Sequence, residues 1–475
     1  MTSASASEAL AALGVRVQEE LETLEVPLRA WVPERLDRHG DPLTDVVVVG
    51  AGLSGLAVAF GLRRQGVARV TIIDAAAAGQ EGPWVTSARM RTLRSPKTLT
   101  GPDLGIPSLT YRAWHEAVHG AESWQGLDKI DRVDWMDYLN WFKGAAGLAV
   151  LNRTRLERIE PDSGTLALVV STPSGEQRLF CRKVVLATGI EGAGGQHVPA
   201  GIADTLPRAR WNHSGEIFDT TALSGKAVGV VGAAASSFDL AVAALEAGAA
   251  TVTILARSPE MPKTEILDWS NFPGFLNHFA DLDDARRYRF TRRMFSFKTP
   301  PTLEMFSRAT SFPNCRLVLG AGDVTAQMLG DKVRADTAAG AFDFDHLLLG
   351  TGYAVDLRRR PELAGFVDQI ATWADRYTPP AGEADGDLLS YPYLGPAFEL
   401  TERVADTAPF LRDIHVFNNG AVPSLGPVCN GITGLKSGVP KLVLGIARAL
   451  FVEDADWHFS SLDRYDKVHF DPSAR

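Results

Sequence analysis

The chain has 475 residues, a formal net charge of −9 and a hydrophobic share of 45%. This length exceeds what one hydrophobic core normally serves, so we expect two or three domains. The acidic balance argues against nucleic acid or an anionic membrane as a partner, because phosphates attract basic surfaces. Three well-separated cysteines without metal-ligand spacing, and no signal-like or membrane-spanning segment, predict a cytoplasmic protein.

Residues 1–44 form a separate N-terminal segment. Apolar residues recur at three- and four-residue steps between Ser5 and Leu24, which predicts an amphipathic helix. Prolines then end this pattern before the first strand. We expect a helical extension that packs against the body of the protein, in preference to an arm that binds a partner.

The first nucleotide-binding unit begins with four consecutive valines at 46–49, which predict a buried parallel strand. A glycine-rich turn and an alanine-rich helix follow. In that turn, Gly50 would make the tight bend, Gly52 would admit a pyrophosphate and Gly55 would allow close packing of helix on strand. The second strand ends at Asp74, where a carboxylate can hydrogen-bond a ribose diol. We therefore predict a dinucleotide site rather than a glycine turn without a ligand.

The same strand, turn and helix pattern recurs at residues 227–255. Its turn begins at Gly232, but Ala234 and Ser237 stand where the second and third glycines would be. Both are small, so the turn can still form. Arg257 follows the next strand in place of an acidic residue, which favours the 2′-phosphate of NADPH over NADH. The alternative is that Arg257 is a solvated surface charge.

These two units in tandem resemble the two-domain flavoprotein monooxygenases. That group comprises the flavin-containing, N-hydroxylating and Baeyer–Villiger monooxygenases. The resemblance is carried by Ala-Thr-Gly after the first unit and Thr-Gly-Tyr after the second. It implies that the first unit binds FAD and the second NADPH. It also assigns cofactor contacts to Thr188, Gly189, Thr351 and Gly352.

Three further residues take expected roles from this resemblance. Trp84 lies in a Gly-Pro-Trp segment that looks like the family's flavin contact, and His213 lies where the family has a linker histidine. Asn419, with Asn418 as the alternative, follows a strand where relatives carry an aspartate, and it would replace that aspartate as a hydrogen-bond partner of the flavin. The residues around His213 depart from the Baeyer–Villiger fingerprint, which disfavours that subclass.

A basic stretch follows Trp84 and contains Arg89, Arg91, Arg94 and Lys97. Basic groups beside a flavin can neutralise cofactor phosphates, stabilise a peroxide anion or hold an anionic substrate. A solvated basic loop is the alternative. We expect Arg94 and Lys97 to be the catalytic residues.

No metal site is expected. Residues 115–119 do spell the His-Glu-x-x-His pattern of zinc proteases, through His115 and His119. Nothing else in the sequence supports a protease, so these histidines are interpreted as core or surface residues.

The predicted fold is α/β, with two Rossmann-like dinucleotide-binding domains, for FAD and NADPH, and a helical N-terminal extension. The FAD domain would comprise residues 45–205 and 346–475, and the NADPH domain residues 206–345. An aromatic and arginine-rich helical insertion is expected at about 260–312. It would form a lid over the nicotinamide, with ordinary core packing as the alternative.

Together these features predict an NADPH-dependent FAD monooxygenase acting on a small molecule with O2. The reduced flavin would form a C4a-(hydro)peroxide and oxygenate a nucleophilic nitrogen or sulfur, or a ketone. The alternatives are an FAD-dependent NAD(P)H reductase or dehydrogenase, and a non-catalytic flavin redox sensor. The substrate and the formation of a homo-oligomer stay open.

Overall fold

The computed structural model describes residues 4–429 and 431–470. The outer ends of the predicted segments 1–44 and 346–475 therefore lie outside the described residues. In chain order, the strands are β1 Thr44–Val49, β2 Val70–Ile73, β3 Val150–Leu151, β4 Arg155–Asp162, β5 Thr165–Thr172, β6 Gly175–Leu186, β7 Gly194–Gln196, β8 Trp211–His213, β9 Ala227–Val231, β10 Thr251–Leu255, β11 Cys315–Val318, β12 Thr325–Leu329, β13 Lys332–Thr337, β14 Gly340–Phe344, β15 His346–Leu349, β16 Tyr353–Val355 and β17 Ile414–Val416.

The α-helices are α1 Ala4–Thr23, α2 Leu53–Arg64, α3 Tyr111–His119, α4 Ala121–Gly126, α5 Arg132–Ala145, α6 Ala200–Ala203, α7 Ala235–Glu246, α8 Ile266–Ser270, α9 Pro273–His278, α10 Asp284–Ser296, α11 Leu303–Ser311, α12 Trp373–Arg376, α13 Gly386–Leu389, α14 Val422–Leu425, α15 Ile432–Glu453 and α16 Ala455–Asp463. In the part of the chain that is described, no helix is long and apolar enough to cross a membrane.

The first sheet is built around β1, which pairs in parallel with β2 and β6. Strand β3 extends the sheet beyond β2, and β17 pairs in parallel with β6. The early part of β6 also pairs antiparallel with β5, which pairs with β4. Val46, Val47 and Val48 are completely buried, as predicted for a parallel strand covered on both faces.

The second sheet is entirely parallel, in the order β11-β10-β9-β15-β8. Helix α7 connects β9 to β10 and is itself covered by α11. A three-stranded antiparallel sheet, β12-β13-β14, stands beside it, and β7 pairs with β16 separately. Two sheets, each with parallel strands around a central strand–turn–helix unit, confirm the predicted α/β class with two dinucleotide-binding folds.

Two long helices near the chain ends pack against the body, α15 on α2 and α1 on α3. Helix α15 crosses α2 at Gly61, where an added Cβ would lie 3.0 Å from a methyl group of Val443. The N-terminal helix α1 buries Leu13 and Val17. Its Glu20 carboxylate accepts a hydrogen bond of 2.8 Å from the hydroxyl of Ser108. The predicted N-terminal helix therefore packs on the protein.

A buried ion cluster attaches the end of α15 to β6. The Lys183 ammonium donates to the carboxylates of Asp413 and Glu453, and the Lys183 side chain is only 2% exposed. The neighbouring Arg182 donates to Asp454 over 2.7 Å and to Glu453 over 3.0 Å. A buried carboxylate without its cation is strongly unfavourable, so each charge in this cluster depends on the others.

We predict that Lys183→Met lowers stability by about 3 to 5 kcal/mol, because two carboxylates lose their shared buried cation. The measurement is the melting temperature of the FAD-loaded protein. Arg178→Met on the same strand is the matched control, since Arg178 pairs with Glu160 in an exposed position. That change should cost less than about 1 kcal/mol. Equal losses in the two variants would contradict the role given to the buried cluster.

Candidate functional site

One cleft contains both glycine turns. Its volume is 2660 Å³, whereas an ordinary small-molecule site occupies about 300 to 1,000 Å³. The starts of α2, α7 and α15 contribute to its walls, together with α10 and the loops after β6 and β15. The cleft therefore has room for more than one extended ligand.

The first turn, residues 50–55, links β1 to α2. Gly50 has a φ of +99°, and a Cβ there would lie 2.5 Å from the carbonyl oxygen of Ala187. A Cβ on Gly55 would lie 1.7 Å from the carbonyl oxygen of Gly50. Larger residues would therefore push α2 away from the sheet. Since no side chain among the described residues caps α2 at Gly52, its first amide groups remain available to an anion.

Asp74 and Trp84 line the cleft beside this turn. The Asp74 carboxylate accepts hydrogen bonds of 2.7 Å from the amides of Ala51 and Ala76, which hold it at the end of β2. The indole N–H of Trp84 is buried and has no acceptor among the described residues. A ligand that supplies an acceptor would satisfy such a donor. Together with the open glycine turn, the carboxylate and this unpaired donor fit FAD.

The loop after β6 and the start of α15 form another part of the cleft wall. Thr188, Gly189 and Asn419 line the cleft there. The buried side chain of Asn418 donates to the Thr188 hydroxyl over 3.0 Å and fixes that loop. Of the two neighbouring asparagines, Asn419 therefore faces the ligand space and Asn418 has a structural role. The start of α15, at Ile432, also faces the cleft, where its amide groups favour electron-rich ligand atoms.

The second turn, residues 232–237, links β9 to α7. Gly232 has a φ of +111°, and a Cβ there would lie 2.7 Å from the carbonyl oxygen of Gly350. Ala234 lines the cleft at the start of α7. The Ser237 side chain instead points at the loop after β15, and its hydroxyl donates to the same Gly350 carbonyl over 3.4 Å. Ser237 therefore fastens the turn and does not line the cleft.

A strap formed by residues 297–299 crosses the second turn. The amide of Ala235, the first residue of α7, donates to the carbonyl oxygen of Thr299 over 3.0 Å. All three strap residues line the cleft. One amide at the start of α7 is thus engaged by the chain itself. No spacing rule in the sequence indicates this contact.

Arg257 lines the cleft beyond the second turn. Its side chain is 74% exposed, and its guanidinium lies 3.9 Å from a carboxylate oxygen of Asp323, too far for a hydrogen bond. The guanidinium therefore keeps its donors for a ligand. Thr351 and Gly352 also line the cleft.

His213 lies behind the cleft wall and does not line it. It is completely buried, and its Nδ1 accepts a hydrogen bond of 3.1 Å from the amide of Gly215. Its ring packs edge-to-face on Tyr353, with 5.5 Å between centroids. Burial lowers the pKa of His213 to about 4, so the ring is neutral near pH 7. The linker histidine thus supports the loop that carries Gly352 from inside.

The basic stretch joins the two nucleotide-binding units. Arg94 lines the cleft and pairs with Asp239 of α7 at 2.5 Å. Arg89 donates to the carbonyl oxygens of Ser214 and Glu216 over 3.2 and 2.9 Å. Burial raises the pKa of Asp239, and the Arg94 guanidinium offsets part of that rise. The contacts of Arg89 and Arg94 with the second unit form a clamp between the two units. The sequence shows the cluster of charges but not this clamp, because its partners are distant in the chain.

Lys97 points away from the cleft. Its ammonium donates to the carbonyl oxygens of Trp124, over 2.6 Å, and Leu127. It also lies 5.1 Å from the centroid of the Trp124 ring. Of the two residues predicted to be catalytic, the structure brings only Arg94 to the cleft wall.

Helix α10 supplies a wall that is both aromatic and basic. Its cleft-lining residues include Arg289, Phe290, Arg292, Arg293 and Phe295. Among the described residues the Arg289 side chain has no hydrogen-bond or ion-pair partner, whereas Arg292 lies 3.8 Å from Glu383. The guanidinium of Arg289 is therefore available to an anionic ligand.

Comparison with known proteins places this site in a family. Residues 44–269 match the family model described as pyridine nucleotide-disulphide oxidoreductase. The chain is 41% identical over 465 residues to the FAD-dependent urate hydroxylase of Xanthomonas campestris pv. campestris, and the match covers 97% of each chain.

Two solved structures share the fold. One is the ornithine hydroxylase from Pseudomonas aeruginosa, with a TM-score of 0.68 and 16% identity over 86% of this chain and 100% of that chain. The other is the ornithine N-hydroxylase of Kutzneria sp. 744 with reduced FAD, NADP+ and L-ornithine, with a TM-score of 0.67 and 17% identity over the same shares. At these identities the likeness concerns the fold alone.

The match to the hydroxylase extends over nearly the whole of both chains, far beyond the glycine turns. The resemblance inferred from the tandem turns is thereby confirmed. The chain belongs to the family of FAD-dependent flavoprotein monooxygenases that includes this hydroxylase, and it is a flavin-dependent oxidoreductase.

Proposed function

We propose that the chain is an NADPH-dependent FAD monooxygenase that hydroxylates a small, electron-rich anionic heterocycle, with urate as the first candidate. The observation that carries this proposal is the one cleft that joins both dinucleotide turns to an arginine-bearing aromatic wall. The full-length relation to a urate hydroxylase supports the choice of substrate.

The first turn and its surroundings would hold FAD. The amide groups at the start of α2 would bind the pyrophosphate, and Asp74 would bind the adenosine ribose. Trp84 and Asn419, which both line the cleft, would contribute hydrogen bonds. When bound, FAD supplies hydride acceptance and oxygen activation, which no side chain of the chain can supply.

The second turn would hold NADPH. Amide groups at the start of α7 would bind its pyrophosphate, apart from the Ala235 amide, which Thr299 already engages. Arg257 would bind the 2′-phosphate, since a guanidinium matches a phosphate with two parallel hydrogen bonds. The Arg94–Asp239 pair would keep this unit at a fixed distance from the FAD turn.

Helix α10 would bind the substrate. Urate is a planar anion, so it calls for a cation at its edge and apolar rings at its faces. Arg289 offers the unpaired cation, and Phe290 and Phe295 line the cleft on the same helix. The side chains of this wall would also exclude water from the reacting atoms.

The overall reaction balances with one O2, one NADPH and one proton. One oxygen atom enters the substrate as a hydroxyl group and the other leaves as water, while NADPH supplies two electrons. A ring atom of urate is a nucleophile that can accept the oxygen atom. This acceptor is an addition to the nitrogen, sulfur and ketone acceptors expected from the sequence. Oxygen transfer from a flavin C4a-(hydro)peroxide is part of this proposal.

Stopped-flow spectroscopy tests the proposal. The FAD-loaded protein is reduced anaerobically with NADPH and then mixed with O2, with and without urate. We expect rapid reduction, a transient absorbance band of a flavin peroxide, and faster decay of that band when urate is present. If the reduced flavin is reoxidised directly, at a rate that does not depend on urate, a reductase is favoured. If NADPH does not reduce the flavin, a redox sensor is favoured.

We predict that Arg257→Ala raises the KM for NADPH about tenfold, which corresponds to one lost charge-assisted hydrogen bond. The KM for NADH should stay the same, because NADH has no 2′-phosphate. Steady-state kinetics with both cofactors measure this difference. Lys263→Ala is the control, since Lys263 lies nearby but does not line the cleft. An equal effect on NADH and NADPH would rule out the assigned role.

We predict that Arg289→Gln raises the KM for urate about tenfold, because the substrate anion loses its cation. The rate at which NADPH reduces the flavin without substrate should not change. Arg286→Gln on the same helix is the control, since Arg286 pairs with Asp283 in an exposed position outside the cleft wall. The assignment fails if the two variants show the same urate dependence.

A further inference from the structure

Two histidines and an aspartate come together outside the cleft. His115 and His119 lie four residues apart on α3, and their ring centroids are 4.6 Å apart. Asp134, in the first turn of α5, places a carboxylate oxygen 3.0 Å from Nε2 of His119. One donor atom of each residue lies within 4.8 Å of the other two. The fold thus adds a third donor that the spacing of the two histidines does not reveal.

The environment of His115 meets a further requirement of a metal ligand. A ligating histidine normally keeps a hydrogen-bond partner on its second ring nitrogen, which fixes the ring. In His115, Nδ1 lies 3.3 Å from the Tyr111 hydroxyl and Nε2 lies 3.0 Å from the Ser123 hydroxyl. Whichever nitrogen turned to an ion, the other would still have a hydroxyl partner.

The geometry needs only a small adjustment to hold an ion. Zinc bound tetrahedrally at about 2.0 Å requires donor atoms about 3.3 Å apart. The largest separation in the cluster, within 4.8 Å, must therefore shrink by at most about 1.5 Å, which side-chain rotation can supply. His119 and Asp134 are 37% and 31% exposed, so an ion has a route in and water can complete its coordination.

We propose that His115, His119 and Asp134 form a zinc site that fastens α3 to α5. Two imidazoles and one carboxylate are a donor set that suits Zn²⁺. Glu116, the base of a His-Glu-x-x-His protease, here accepts a hydrogen bond of 2.8 Å from Arg112. None of the three ligands lines the cleft. The site is therefore separate from the flavin chemistry.

The start of α5 is hydrogen-bonded to the basic stretch that carries Arg94. Just before α5, the carbonyl oxygen of Ile130 accepts a hydrogen bond of 2.8 Å from the amide of Leu93. The amide of Arg132 donates over 3.0 Å to the carbonyl oxygen of Arg91. This backbone leads directly to Arg94. An ion on α3 and α5 would thus stiffen the support of the clamp between the two nucleotide-binding units.

The test uses full-length, FAD-loaded protein that has been stripped with a chelator, incubated with Zn²⁺ and desalted. We expect the wild type to retain one Zn²⁺ per chain by elemental analysis and to melt at a higher temperature with Zn²⁺ than without it. His119→Ala and Asp134→Asn should lose both effects. These side chains are partly exposed, so normal flavin content will show that the variants are folded.

A matched control separates this site from an ordinary histidine–aspartate pair. His278 and Asp281 also lie 3.0 Å apart but are about 70% exposed and belong to no group of three donors found among the described residues. His278→Ala should therefore retain Zn²⁺ like the wild type. If the wild type retains no more Zn²⁺ than Asp134→Asn, the three residues bind no ion and make only contacts with one another. If His278→Ala loses Zn²⁺ equally, binding is nonspecific. Either result overturns the proposal.

Discussion

The close approach of each glycine turn to a neighbouring strand end is the constraint on which the cleft depends. A Cβ on Gly50 would meet the carbonyl oxygen of Ala187 at 2.5 Å, and a Cβ on Gly232 would meet that of Gly350 at 2.7 Å. Both turns also require a positive φ. Because each turn lies against the loop after the adjacent parallel strand, the two helix starts open into one space.

The two turns reach the same geometry by different means. At the first turn, Gly55 has no side chain, and any side chain there would collide with the backbone of Gly50. At the second, Ser237 occupies that position and donates to the Gly350 carbonyl. In the first unit the missing side chain allows close packing, and in the second unit a hydroxyl holds the turn by a hydrogen bond. This explains how a turn that departs from the glycine pattern can still present a helix start to the cleft.

The arginines divide between assembly and ligand binding according to their partners. Arg89 and Arg94 bind carbonyl and carboxylate groups of the second unit, so their charges are used within the protein. Arg257 and Arg289 line the cleft, and neither has a hydrogen-bonded carboxylate within the described part of the chain. In the proposed function, one of these cations would bind the anionic cofactor group and the other the anionic substrate.

The sequence predicts what is local and misses what depends on distant partners. The valines at 46–49, the first turn and the α/β class follow from short-range patterns, and the structure has them. The contacts of Arg94 with Asp239, of Lys97 with Trp124 and of Thr299 with Ala235 join segments far apart in the chain. No periodicity marks such pairs. Asp134 is a similar case, since only the packing of α5 on α3 brings it to the histidines.

The proposed function requires that the shared cleft couple NADPH and FAD to the oxygenation of a bound anion. Labelling with ¹⁸O₂ tests it most directly, with mass spectrometry of the product formed from urate and NADPH. We expect one labelled oxygen atom in each product molecule for each NADPH consumed. Consumption of NADPH with all of the O2 recovered as hydrogen peroxide, and no label in any urate-derived product, would contradict it.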